Sequence, residues 1–183
     1  NETEWHPSSS RPPTRRAYIR GLVAAVVLAG TAACAPLTEA PAHAAPPSFP
    51  AGAADGPYSV VKVIDGDTIT VRRGGGNVTV RLIGVDTPEV KDPRKPVECF
   101  GEEASAETTR LLTGQRVYLE ADPGQDQSDR YGRMLRYVWT LDHQLVNLHL
   151  VDAGFAHEYT YDTPYKYRTE FRAAQNAARD AGR

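Results

Sequence analysis

Cysteine is almost missing from this chain: Cys34 and Cys99 are the only two among 183 residues. Cys34 falls in a segment that reads as a targeting signal, so Cys99 is expected as a partly buried free thiol of the exported chain. Clusters of His and Cys are missing as well, which argues against zinc wherever the acids converge. A strongly basic balance is also absent. The whole chain carries a formal charge of −2, and from Ala45 onward 17 Lys plus Arg stand against 20 Asp plus Glu, a balance of −3. Composition alone therefore does not announce nucleic acid, and any such role must rest on a local site. The apolar run from Gly21 to Ala33 is too short for a mature membrane span. There is no internal repeat. A chain of this length makes one domain with a proper core rather than two.

What is present begins with a basic segment, Arg11, Arg15, Arg16 and Arg20, ahead of that short apolar run. Basic residues, a short apolar stretch and then small residues make a signal peptide, and Ala42-His43-Ala44 fits its cleavage site. Thr14 to Arg20 resembles a twin-arginine export signal, with an ordinary Sec signal as the alternative. Thr31-Ala32-Ala33-Cys34 partly resembles a lipoprotein box, which would put a lipid anchor on Cys34. The expected organisation is a signal peptide over 1–44, a Pro/Ala-rich linker over 45–57 and a folded domain over 58–183. A secreted or cell-surface protein follows from it.

Within the domain, Tyr58–Ile64, Thr68–Arg72 and Val78–Val85 read as strands, separated by the Asp65-Gly66 turn and a Gly-rich loop. Gly101 to Thr113 has helical spacing, with Ala104, Leu111 and Leu112 on one side and acids in the first turn. Arg116–Glu120 and Met134–Thr140 read as two more strands. Leu145–Ala153 and Tyr165 to Arg179 read as helices, the second with Phe171, Ala174 and Ala178 as its apolar stripe. Five strands in two groups with a helix between the third and fourth predict an α+β fold: a five-stranded OB-type β-barrel with three helices packed on it.

Carboxylates cluster at the strand ends, at Asp65, Asp67, Asp86 and Glu89, with Arg81 among them and Arg133 after a later turn. Hard cations such as Ca²⁺ take several oxygen ligands. Asp67, Asp86 and the Thr87 carbonyl could supply some. The Asp65-Gly66-Asp67 spacing does not continue as an EF-hand loop, and taken alone it is a solvated turn. Arginine offers a planar, permanently charged fork that suits two phosphate oxygens. Two arginines and a divalent cation would neutralise charge building on a pentacoordinate phosphorus. Glu89, beside such a metal, could orient or deprotonate an attacking water.

Asp65-Gly66-Asp67-Thr68, Val85-Asp86-Thr87-Pro88-Glu89 and Asp129-Arg130-Tyr131-Gly132-Arg133, in that order, resemble the staphylococcal nuclease (thermonuclease) family. Gly101-Glu102-Glu103-Ala104-Ser105 and Val146-Asn147 to Gly154 resemble that family's first and second helices, so the resemblance runs from about Tyr58 to the end. It implies a Ca²⁺-dependent phosphodiesterase acting on single-stranded or frayed DNA and RNA, cutting the 5′ P–O bond and leaving 3′-phosphate ends. It further implies Asp67, Asp86 and Thr87 as metal ligands and Asp65 as an acid acting through metal-bound water. Arg81, Glu89 and Arg133 are implied as the catalytic set, and Lys95, Arg130, Tyr131, Tyr159 and Tyr161 as the nucleotide pocket. Tyrosines there can stack on any base. A monomer with no obligate protein partner is expected. The segment after Gly154 is one residue shorter than the family pattern and the Asp122–Ser128 loop slightly longer. The alternative is a non-catalytic OB-type module binding nucleic acid or oligosaccharide at the cell surface. Degenerate domains of that kind lack some site acids and arginines, whereas Asp67, Arg81, Asp86, Glu89 and Arg133 are all present here. A secreted Ca²⁺-binding structural domain is the third reading, and it leaves the two arginines without a purpose.

Overall fold

A computed structural model describes residues 45–88 and 101–183. The expected signal segment, with Cys34, lies outside these residues. So do Glu89, Lys95, Cys99 and the loop expected from Asp92 to Pro96.

The chain forms β1 (Ala54–Asp65), β2 (Thr68–Arg73), β3 (Gly76–Leu82), β4 (Val85–Asp86), α1 (Gly101–Leu112), β5 (Arg116–Glu120), β6 (Met134–Thr140), α2 (Val146–Asp152), β7 (His157–Glu158) and α3 (Arg168–Asp180). Strands β1, β2, β3, β6 and β5 close into a barrel in that order. All its pairings are antiparallel except β3 with β6, where Val80, Arg81 and Leu82 run parallel to Met134, Leu135 and Arg136. The predicted five-stranded α+β barrel with three helices is therefore the fold.

The barrel interior follows from β-branched and leucine side chains placed at alternate positions. Ile69, Val71, Val80, Leu82, Val117, Leu119 and Val138 are all essentially inaccessible to solvent. Each such side chain contributes about 1.5–3 kcal/mol by leaving water. Three helices cover the outside. α1 buries Ala104, Thr108 and Leu112, one helical turn apart each time. Thr108, which carries no apolar signal in the sequence, donates its hydroxyl to the Gly66 carbonyl at 2.6 Å and so ties α1 to the β1–β2 turn. α2 buries Val146, Leu150 and Val151 together with Asn147. The Asn147 amide donates to the Ile83 carbonyl at 2.9 Å and accepts from Val138 N–H at 2.9 Å, a polar rivet between α2, β6 and the end of β3.

Several boundaries differ from the sequence reading. β1 begins at Ala54, inside the stretch expected as linker, and Phe49 packs further upstream. Its ring stacks on His143 at 3.9 Å and meets Trp139 edge-on at 5.7 Å, so apolar matter within that Pro-rich stretch does find a partner. The third strand stops at Leu82 rather than Val85. Gly84 turns the chain with φ +78°, and a Cβ there would lie 2.6 Å from the Tyr165 ring, so any side chain is strained and must displace that ring. The freed Val85–Asp86 forms β4, which pairs with β7, a strand too short to show any periodicity. Finally, α3 begins at Arg168, not Tyr165. Tyr165 and Tyr167 are both buried, two residues apart, which is an extended spacing and not a helical one.

Two buried acids fasten this last approach to the barrel. Glu120, 1% exposed, accepts from Trp139 Nε1 at 2.8 Å, Tyr167 OH at 3.0 Å and Lys166 Nζ at 2.7 Å. Asp122 accepts from Tyr137 OH at 2.6 Å and from the backbone N–H groups of Gly124 and Lys166, each at 2.7 Å. Burial, together with the bond to Asp122, pushes the Tyr137 phenol far above its ordinary range, so it stays a donor.

Candidate active site

One cleft of about 280 Å³ at the barrel mouth is lined by Asp65, Asp67, Arg81, Asp86, Thr87 and Arg133, among others. Its position follows from register. Arg81 pairs with Thr68 across β2–β3, which sets it beside Asp67 at the start of β2. The parallel β3–β6 pairing places Met134 opposite Val80, so Arg133, just ahead of β6, arrives at the same mouth.

Arg81 is the hub. Its guanidinium bridges the Asp67 carboxylate through Nη1 and the Asp86 carboxylate through Nη2 at 3.0 Å, while Nη1 also donates to the Val85 carbonyl at 3.0 Å. The Arg81 and Asp67 side chains are 15% and 10% exposed, so this part of the pair is poorly screened, whereas Asp86 is 56% exposed. Asp67 is further fixed by the Thr68 hydroxyl at 2.9 Å and by the Thr87 N–H at 3.1 Å. The last bond joins the two expected ligand segments directly. It depends on Gly66, where a Cβ would lie 2.8 Å from the Thr87 methyl and 3.0 Å from the Ala104 Cβ. Asp65 holds the same turn by accepting from Gly66 N–H at 3.0 Å.

Arg133 is positioned by a compact turn built on Asp129. One carboxylate oxygen of Asp129 accepts from the N–H groups of Tyr131 and Arg133, each at 2.9 Å, and the other accepts from Arg133 Nε at 2.6 Å. Burial alone would raise the Asp129 pKa, but the Arg133 bonds and the Tyr131 N–H outweigh it and hold the carboxyl below its usual range. The sequence reading missed Asp129 as an organiser, although an Asp two and four residues ahead of the backbone N–H groups it caps is a turn signal. Tyr131 carries Arg130 over its ring at 4.8 Å and Arg133 at 5.3 Å. The bond from Arg130 to the Tyr131 hydroxyl, at 2.7 Å, raises the Arg130 pKa. Tyr159 and Tyr161 stand 6.4 Å apart, ring to ring, and Tyr131, Tyr159 and Tyr161 are all exposed. The structure thus gathers Asp65, Asp67, Arg81, Asp86, Thr87 and Arg133 in one cleft, while Arg130 and Tyr131 stand beside Arg133 and Tyr159 and Tyr161 form a separate exposed pair. Glu89 and Lys95 fall outside the described residues.

A divalent cation can be tested against the donors present. Among the described residues no group of three or more His, Cys, Asp or Glu side chains converges as a metal site. Two carboxylates do converge, on Arg81, and the Thr87 carbonyl follows Asp86 directly in the chain. All of these donors are hard oxygens, with no thiolate or imidazole among them, which suits Ca²⁺ and not zinc.

The chain is similar to known proteins. The family described as staphylococcal nuclease homologue matches residues 79–183. A thermonuclease of Staphylococcus hyicus is 46% identical over 121 residues, covering 66% of this chain and 70% of that protein. A thermonuclease of Staphylococcus intermedius is equally similar, 46% identical over 121 residues, with the same coverage of each chain. Endonuclease YncB of Bacillus subtilis (strain 168) is 40% identical over 119 residues, covering 64% of this chain and 56% of that protein.

Proposed function

The chain belongs to the staphylococcal nuclease family, and from that membership and the cleft we propose an exported, Ca²⁺-dependent nuclease. It hydrolyses phosphodiester bonds of DNA and RNA, cutting the 5′ P–O bond to leave 3′-phosphate ends. The observation that carries this reading is the Arg81 bridge between Asp67 and Asp86 in a cleft shared with Arg133. Two fixed guanidinium groups beside paired carboxylates have no role in a structural calcium domain. Among known chemistries they fit phosphoryl transfer.

Asp67, Asp86 and the Thr87 carbonyl would hold the ion, with Asp65 acting through water. When bound, it supplies positive charge beside the scissile phosphate. Arg81 and Arg133 present planar forks to the non-bridging oxygens and stabilise the negative charge that grows as phosphorus becomes pentacoordinate. Glu89 orients the attacking water or takes its proton. The water oxygen bonds to phosphorus, the P–O5′ bond breaks, and the leaving 5′ oxygen is protonated. Arg130, Tyr131, Tyr159, Tyr161 and Lys95 form the nucleotide pocket. Stacking on each tyrosine contributes about 1–3 kcal/mol without choosing among bases.

The deciding experiment is hydrolysis of single-stranded DNA by the purified protein with Ca²⁺ and with excess chelator. Ca²⁺-dependent cleavage leaving 3′-phosphate ends supports the reading. A folded protein that binds DNA without cutting it would instead be the OB-type binding module. Glu89→Gln is expected to keep nucleotide binding and lose most turnover, and equal activity in that variant would remove Glu89 from its role. Export is part of the same proposal, resting on Arg15-Arg16 and the Ala42-His43-Ala44 site. Recovery of the protein from the medium or cell surface, cleaved after Ala44, is the expected outcome.

A further inference from the structure

Two tyrosines of the expected nucleotide pocket, Tyr159 and Tyr161, lie on an extended segment whose other face is polar yet turned inward. From Ala156 to Tyr161 burial alternates: Ala156, Glu158 and Thr160 point in, and His157, Tyr159 and Tyr161 point out. Glu158 and Thr160 do not sit on an apolar core. The Glu158 carboxylate accepts from the Thr160 hydroxyl at 2.5 Å and from the Tyr165 phenol at 3.1 Å. Thr160 in turn accepts from Arg168 Nε at 3.0 Å, and Glu158 N–H donates to the Gln175 amide of α3 at 2.8 Å.

The same cluster reaches the cleft through the backbone. Val85 pairs with Glu158 and Asp86 with His157 in the β4–β7 sheet, and Tyr159 N–H donates to the Gly84 carbonyl at 3.0 Å. The Tyr165 phenol also approaches that carbonyl at 3.3 Å. The single Tyr165 hydroxyl proton is therefore shared between the acid beneath Tyr159 and the carbonyl just ahead of the strand that carries Asp86. Burial first, and then the Glu158 charge, push its phenol well above the ordinary range, so it remains a donor. Two-residue strands have too few ladder bonds to hold a register unaided.

We propose that Glu158 and Tyr165 are positioning residues that lock the base-stacking face, Tyr159 and Tyr161, at a fixed offset from the cleft segment Asp86-Thr87. This rests on the nuclease reading. Neither residue touches substrate or the reacting atoms. Their effect is to pre-order a pocket that would otherwise lose binding free energy on being ordered by the polynucleotide.

The test uses the full protein with Glu158→Ala, Glu158→Gln and Tyr165→Phe. Tyr165→Phe keeps the ring against Gly84 and removes only the hydroxyl, so it reads the bond in a folded protein. On single-stranded DNA, KM is expected to rise roughly tenfold in Glu158→Ala and Tyr165→Phe, the scale of one charge-assisted hydrogen bond, with kcat within about twofold. Glu158→Gln, which retains an acceptor oxygen, is expected to recover most of the loss. A second readout needs no turnover: exchange of the Tyr159 amide hydrogen should speed up by about tenfold in the same two variants. Unchanged KM and unchanged exchange in Tyr165→Phe would overturn the proposal. So would a fall in kcat at constant KM. An inactive wild type whose Tyr159 amide responds as expected would count against the nuclease reading and leave the positioning role standing.

Discussion

Arg81 does at the scale of one residue what neither acid could do alone. Asp67 is nearly buried, and burying a carboxylate is costly unless a cation or several donors compensate it. The guanidinium supplies the cation, and its second nitrogen reaches Asp86. Lysine cannot copy this, because an ammonium is a point charge without a planar fork. Arg81→Lys is expected to lower kcat/KM by roughly 100-fold, the usual loss when one oriented donor at the reacting centre is removed. Steady-state kinetics on single-stranded DNA, with the circular dichroism melt to confirm folding, measure it. A mild effect would make Arg81 a structural counter-charge only. The residue types of the site were legible in the sequence, since paired acids with arginines at strand ends signal phosphate chemistry. Which arginine grips which acid was not. That depends on the Thr68–Arg81 register and on the Thr87 N–H reaching Asp67, and no local pattern encodes either.

At the scale of elements, the strands with clean alternation were readable, and β5 and β6 lie where their sequence put them. The failures share a cause. β4 and β7 have two residues each, below the length at which any period is visible, and they exist because Gly84 bends the chain away from β3. Tyr165 and Tyr167 read as the first turn of a helix, but each has a buried appointment elsewhere, against Gly84 and with Glu120. Phe49 was hidden by its Pro-rich neighbours. Gly84 is the position most sensitive to change. Gly84→Ala would put a methyl group into the Tyr165 ring and hold a left-handed backbone conformation, costing about 2–4 kcal/mol. Urea denaturation measures this, and a loss below about 0.5 kcal/mol would mean that the Tyr165 ring yields freely.

Over the whole molecule the sign of the charge matters more than its size. With a net negative balance, the proposed nuclease would hold its substrate by a few local cations, chiefly Arg81, Arg130 and Arg133. Affinity for single-stranded DNA should fall with log salt at a slope of about −2, near 0.7 per phosphate neutralised. A slope steeper than about −6, from filter binding of an inactive variant, would demand a second basic surface. Acid stability has an identifiable contributor between α1 and α2. Arg110 grips the Glu107 carboxylate through two nitrogens, and His149 adds a bond at 2.8 Å. Against the opposing pull of burial, these hold the Glu107 pKa at about 2 instead of 4.5. A carboxyl depressed on folding stabilises fully above its unfolded value, and that contribution disappears as pH falls from about 4.5 through about 2. The melting temperature should drop across that window, and Glu107→Gln should flatten the drop.

The barrel has one further consequence, which concerns time. Its closing seam joins residues 80–82 to residues 134–136, in parallel, across α1 and β5. Until that seam forms, β3 and β6 each present an open edge able to recruit another chain. Hairpins β1–β2 and β2–β3 are local and can form early, but the seam must wait for the entropy of a long loop to be overcome. Slow closure would leave the young chain adhesive just when it is most concentrated, and fast closure would leave it inert. Between a protein that accumulates and one that aggregates, the difference lies in how soon Leu82 finds Arg136.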